Sequence, residues 1–235
     1  MCKYKFNNIV FLHLFKIIIF IFIDKISSEG TSVTTEYQFT NSLEQQKEIY
    51  IDGIVEIKSE INVLQKTVVS IKGDAEDGVL NFNNNFYGIY LDSIEQFYIS
   101  NISIFGKITT NKIEKIYFKN VYIHGKIVAY NESKNAEYIF EDCKFVSPDR
   151  EDRYAFEFYE SNVTFKNCEF VGNKNIRNIL FLWGNKDNLE NKIEVHNTYF
   201  NGNNNSLCFN GNNSYIKITN SHFSNCRDYH LDHGY

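Results

Sequence analysis

Few side chains in this sequence stand close enough together to suggest chemistry. The six histidines are His13, His124, His196, His222, His230 and His233, and only the tail, "YHLDHGY", gathers more than one. There His230 and Asp232 stand at alternate positions of an extended strand and would face one side, with His233 adjacent. That is the spacing of an acid/base or metal-binding pair. Two carboxylates, Glu157 and Glu160 in "AFEFYES", are the other outward candidates, and the following apolar phrase "ILFLWGN" offers Glu157 no partner in register. "PDREDR", residues 148–153, reads as a solvated charged loop. The catalytic candidates are thus Glu157, His230, Asp232 and His233. No spacing of Cys or His suggests zinc, and no metal or cofactor is expected.

The elements that would position these residues show in a repeat. "FYISNISIFG", "IYFKNVYIHG", "YIFEDCKF", "VTFKNCEFVG", "IEVHNTYFNG" and "IKITNSHFSN" align on Asn101, Asn120, Asp142, Asn167, Asn197 and Asn220, at intervals of 19, 22, 25, 30 and 23 residues. Four before each anchor stand Phe97, Ile116, Tyr138, Val163, Ile193 and Ile216. Two before it stand Ile99, Phe118, Phe140, Phe165, Val195 and Ile218. The residues between are mixed, which is the period-two pattern of a strand with one buried face. Three after the anchor come Ile104, Ile123, Phe145, Phe170, Phe200 and Phe223. Two further on, the column reads Gly106, Gly125, Ser147, Gly172, Gly202 and Asn225, and its Gly and Asn predict a left-handed turn.

A third apolar run follows in most copies: "KITT", "KIVAY", "AFEFY", "ILFLW" and "SLCF". Three short strands in a unit of this length cannot bury their apolar faces alone. Coiled into one turn and stacked on the next, they can. Helical repeats do not fit a period of two, and a leucine-rich repeat would place Leu where Phe and Ile stand here.

The six phrases resemble the right-handed parallel β-helix of the pectin-lyase-like superfamily, over residues 49–235. The resemblance implies an all-β, single-stranded solenoid with three short strands per rung and about seven or more rungs. It also implies an asparagine ladder, in which Asn101, Asn120, Asp142, Asn167, Asn197 and Asn220 stack and hydrogen-bond from rung to rung. Residues 29–48 read as a polar N-terminal cap, helical at "NSLEQQKE", and the C-terminus stops where a new rung should start. It is read as either covered by another chain or truncated. Cys143 and Cys168 share one inward column on adjacent rungs, where strand spacing of about 4.8 Å permits a disulfide. Two free buried thiols are the alternative, and Cys208 and Cys226 are left unassigned.

Residues 1–28 carry Lys3 and Lys5, an apolar stretch to Ile23, then Ser27 and Ser28, the pattern of a signal peptide, with an uncleaved membrane anchor as the alternative. Its removal shifts the net charge from −5 to −8. An acidic secreted chain has no electrostatic footprint for nucleic acid. Sequons at Asn131, Asn162, Asn204 and Asn212 are glycosylation candidates, whereas Asn101 is occupied in the ladder.

Enzymes of the resembled superfamily act on acidic polysaccharides. A hydrolase of that kind would show Asn-Thr-Asp, Asp-Asp, Gly-His-Gly and Arg-Ile-Lys signatures, and none occurs here. The expected function is therefore a secreted or cell-surface module, non-catalytic, presenting an extended face to carbohydrate or an extracellular protein. Surface Tyr, Asn and Trp183 suit sugar stacking, and the same residues at these spacings also read as ordinary solenoid surface. The alternative is a divergent polysaccharide lyase or glycoside hydrolase.

Overall fold

The computed structural model describes residues 30–45, 48–73, 78–83, 87–130, 136–184, 191–204, 206–212, 214–227 and 230–232. The signal segment, Asn131 and His233 lie outside them. The strands coil into a parallel β-solenoid of about six turns, where seven or more were expected. Strands upstream of the first anchor stack in the same parallel sense as less regular layers, Thr31–Val33 on Ile49–Ile51 and Ile49–Ile51 on the end of Ile61–Gly73.

Each regular turn runs through three faces. The first face stacks Glu137–Glu141, Asn162–Lys166, Lys192–His196 and Tyr215–Thr219. The second stacks Lys144–Val146, Glu169–Val171, Tyr199–Asn201 and His222–Ser224. The third stacks Asp152–Tyr159, Ile176–Trp183, Leu207–Asn212 and His230–Asp232. The long strand Gly88–Ala129 feeds all three.

The sequence columns are the packing columns. Phe118, Phe140, Phe165, Val195 and Ile218 pair in register on the first face. Phe145, Phe170, Phe200 and Phe223 do so on the second, as a stack of rings 4.5, 4.8 and 4.6 Å apart and within 8° of parallel. That spacing is the strand spacing itself, so one inward residue type repeated in register stacks on its own copy. The core these columns build is continuous from Val33 to Phe209.

Helix α1 (Glu36–Glu44) covers the first open turn, burying Phe39 and Leu43. It starts earlier than "NSLEQQKE" suggested, because the Thr35 hydroxyl caps it by accepting from the Gln38 amide at 3.2 Å.

The left-handed bend falls at the anchor, not mainly in the glycine column. All six anchors have φ between 49° and 55°, a conformation that Asn and Asp accept more readily than other side chains. In the glycine column only Gly106 (φ 157°) and Asn225 (φ 51°) have positive φ among the described residues. Close approach explains another member: a Cβ on Gly125 would collide with the Gly106 carbonyl of the turn below.

The six anchors lie on an exposed corner, and side-chain bonds join three of the successive pairs. Asn120 Nδ2 donates to Asn101 Oδ1 at 2.9 Å, Asn167 Nδ2 to Asp142 Oδ1 at 3.0 Å, and Asn197 Nδ2 to Asn167 Oδ1 at 3.3 Å. Cys143 and Cys168 are free and buried, and the disulfide joins Cys208 to Cys226. In-register parallel strands keep the two Cβ atoms about a strand spacing apart, wider than a disulfide's usual ~3.8 Å. Each thiol instead donates to a carbonyl of the preceding turn, Phe118 O and Phe140 O. The neighbouring Cys168 sulfur and burial push the Cys143 thiol upward, which leaves it unreactive as a nucleophile.

Candidate functional site on the third face

The outer surface of the third face gathers the chemistry that the sequence scattered. Phe156, Phe158, Leu180 and Leu182 fill the core, so Glu157, Tyr159, Phe181 and Trp183 point out. In register across the stack run Val128, Glu157, Phe181 and Asn210, and beside them Tyr159, Trp183 and Asn212. Tyr130 on the preceding turn stacks on Tyr159 at 5.3 Å and 19°. Tyr154 stacks on Phe181 at 4.2 Å, and Phe181 on Trp183 at 6.0 Å. Tyr130 is 52% and Trp183 41% exposed. Aromatic rings of successive turns thus stack against one another in a row along the outer surface, and Phe181 and Trp183 pair onward with Asn210 and Asn212.

Under one edge of the row lies an ion cluster. Glu157 is only 5% exposed, and its carboxylate accepts from Lys126 Nζ at 2.6 Å and from the Tyr159 hydroxyl at 2.8 Å. Lys126 also pairs with Asp152 at 2.9 Å, which Arg150 approaches at 3.6 Å. Burial raises the Asp152 carboxyl, but the Lys126 ammonium and the Arg153 amide outweigh it and hold it below its ordinary value. Burial and the Glu157 acceptor push the Tyr159 phenol upward, so it stays a donor. The cluster is internally neutralised and anchors Tyr159 in the row.

The partner of Glu157 lies on the preceding turn, where Lys126 is the first residue of "KIVAY"; the following turn offers Phe181. Alternation within these third runs carried that signal. Part of "PDREDR" is also drawn into the cluster through Arg150 and Asp152, where a solvated loop was expected.

His230 and Asp232 join this face as the strand after Leu207–Asn212, opposite Asn210 and Asn212. Register puts the His230 backbone three strands from that of Glu157, about 14 Å away. Glu160 occupies a left-handed bend at φ 48°. Of the other histidines, His196 bonds Thr219 and Glu194, His124 lies 3.5 Å from Asp149, and His222 stacks on Tyr199.

Among the described residues no cluster of His, Cys, Asp and Glu could hold a metal ion, and no helix is long and apolar enough to cross a membrane. The Asn162 side chain accepts from the Lys192 amide at 2.8 Å, Asn204 is exposed in a turn, and Asn212 lies beside Trp183 on the third face.

Comparison with known protein families, with curated proteins and with solved structures finds no match for the chain.

Proposed function

We propose that this chain is a secreted or cell-surface β-helix module, akin to the pectin-lyase-like solenoids, whose third face binds a glycan without cleaving it. The observation that carries the reading is the row Tyr130, Tyr159 and Trp183, set in stacked turns of one rigid face and continued by Asn212. Exposed aromatic surface such as that of Tyr130 and Trp183 suits apolar contact with the C–H groups of sugar rings, and amides at the end of the row can bond hydroxyl groups. Because the sheet fixes the rings beforehand, little ordering entropy opposes binding.

The test is incubation of the purified protein with pectic, cellulosic and microbial glycans, scored for retained protein and for newly released chain ends. Retention without products is expected, and Trp183→Ala lowers the affinity about tenfold, the loss of one stacking platform. If no glycan retains the folded protein, the reading fails and an extracellular protein becomes the partner.

One observation favours the second reading, a divergent polysaccharide lyase or hydrolase: Asp152 and Glu157 share Lys126 beside the aromatic row. New chain ends that disappear in Glu157→Gln would move the assignment there.

A further inference from the structure

A groove of about 480 Å³ opens where the third face begins, and Glu151, Asp152, Arg153, Lys174, Arg177 and Arg227 line it. Asp152 is already engaged by Lys126 and Arg150. That leaves four cations against Glu151, on a chain whose net charge is −5. Among the described residues the side chains of Lys174, Arg177 and Arg227 have no ion-pair or hydrogen-bond partner. Like charges gathered without counter-charges oppose the folded state, so the scaffold must hold them there.

It does so by three separate devices. Lys174 sits in a turn fastened by its neighbours: Asn173 Nδ2 donates to the carbonyls of Ser147 and Pro148 at 3.2 and 2.7 Å, and Asn175 Nδ2 donates to that of Asp149. Arg177 is placed beside Arg153 by strand register, between the pairs Ile176–Asp152 and Asn178–Tyr154. Arg227 follows Cys226, which is bonded to Cys208, and its own amide donates to the Ser206 carbonyl at 3.0 Å. The groove is also continuous with the aromatic row. The Arg153 guanidinium lies 5.0 Å over the Tyr154 ring, and Tyr154 stacks on Phe181.

We infer that this groove receives a sulfate or phosphate ester carried by the glycan on the third face. Guanidinium groups present paired N–H donors that match the edges of a tetrahedral oxyanion, and three of them line one small space. The inference rests on the glycan reading for the sugar chain, whereas the anion site stands on the cations alone.

Binding of dextran, dextran sulfate and phosphorylated dextran to the purified protein tests it. The charged polymers bind at least tenfold tighter than dextran at low ionic strength, and the advantage shrinks as salt screens the groove. Whichever ester binds tighter names the natural substituent. Arg177→Gln/Arg227→Gln, two exposed positions, removes the advantage and leaves dextran binding and far-UV circular dichroism unchanged. Lys119→Gln/Lys217→Gln takes equal charge from the first face and leaves the advantage intact. Equal affinity for all three polymers, or equal losses in the two double variants, overturns the proposal. Should Trp183→Ala weaken none of the polymers while the arginine variant weakens the charged ones, the anion site stands and the glycan face falls.

Discussion

At the residue scale the most consequential side chain is Lys126, with 12% of its surface exposed and ion pairs to both Glu157 and Asp152. A lysine in that setting neutralises Glu157 in a place where an unpaired carboxylate is costly. Lys126→Met is therefore expected to destabilise the protein by about 3 kcal/mol, near the lower end of the range for breaking a buried pair. Adding Glu157→Met to the same variant should recover most of that, because the stranded charge goes with its partner. Denaturant midpoints of the three proteins decide it. A single variant as stable as the parent would mean that water already reaches Glu157. The same position shows why this site was hard to see in sequence. The pairing needs the register between "KIVAY" and "AFEFY", and irregular repeat intervals conceal that register.

At the element scale the strands were legible and half of the bends were not. Apolar alternation marked the first two faces, since inward residues must be apolar and outward ones need not be, and a short apolar run marked the third. Asn and Asp marked one left-handed corner for the same kind of reason. A second left-handed column, Gln65, Ser93, Lys112 and Glu160, carries residue types that no rule connects with positive φ. It is held by the strands on either side of it and left no mark in composition. The anchor corner offers a direct test. Asn167 bonds both Asp142 and Asn197 at φ 52°. Asn167→Ala is expected to cost about 2 kcal/mol, because Ala lacks the polar side chain that lets Asn accept a left-handed bend and because two exposed hydrogen bonds are lost. Asn167→Gly should cost roughly half as much, since glycine accepts the bend. Equal losses on urea unfolding would assign the whole effect to the bonds.

At the scale of the whole molecule, each turn touches mainly the turn above and the turn below, so cohesion passes along the stack from neighbour to neighbour. The continuous core, the helix α1 over one end and the three stacked faces all follow from that linear order. So does a property of the disulfide. Cys208 and Cys226 are 18 residues apart, nearly one full turn, with their Cα atoms 5.4 Å apart, and closing a loop of that size contributes about 3 kcal/mol. The bond converts the last regular turn into a covalent hoop. A solenoid peels from its open end, and peeling that begins at the C-terminus must halt at the hoop. Limited proteolysis should therefore trim the oxidised protein no further than the residues just past Cys226. Reduction should let cleavage advance turn by turn toward Trp183. The bond would then act as a ferrule, keeping any unwinding past Cys226 from running on into the aromatic row of the third face.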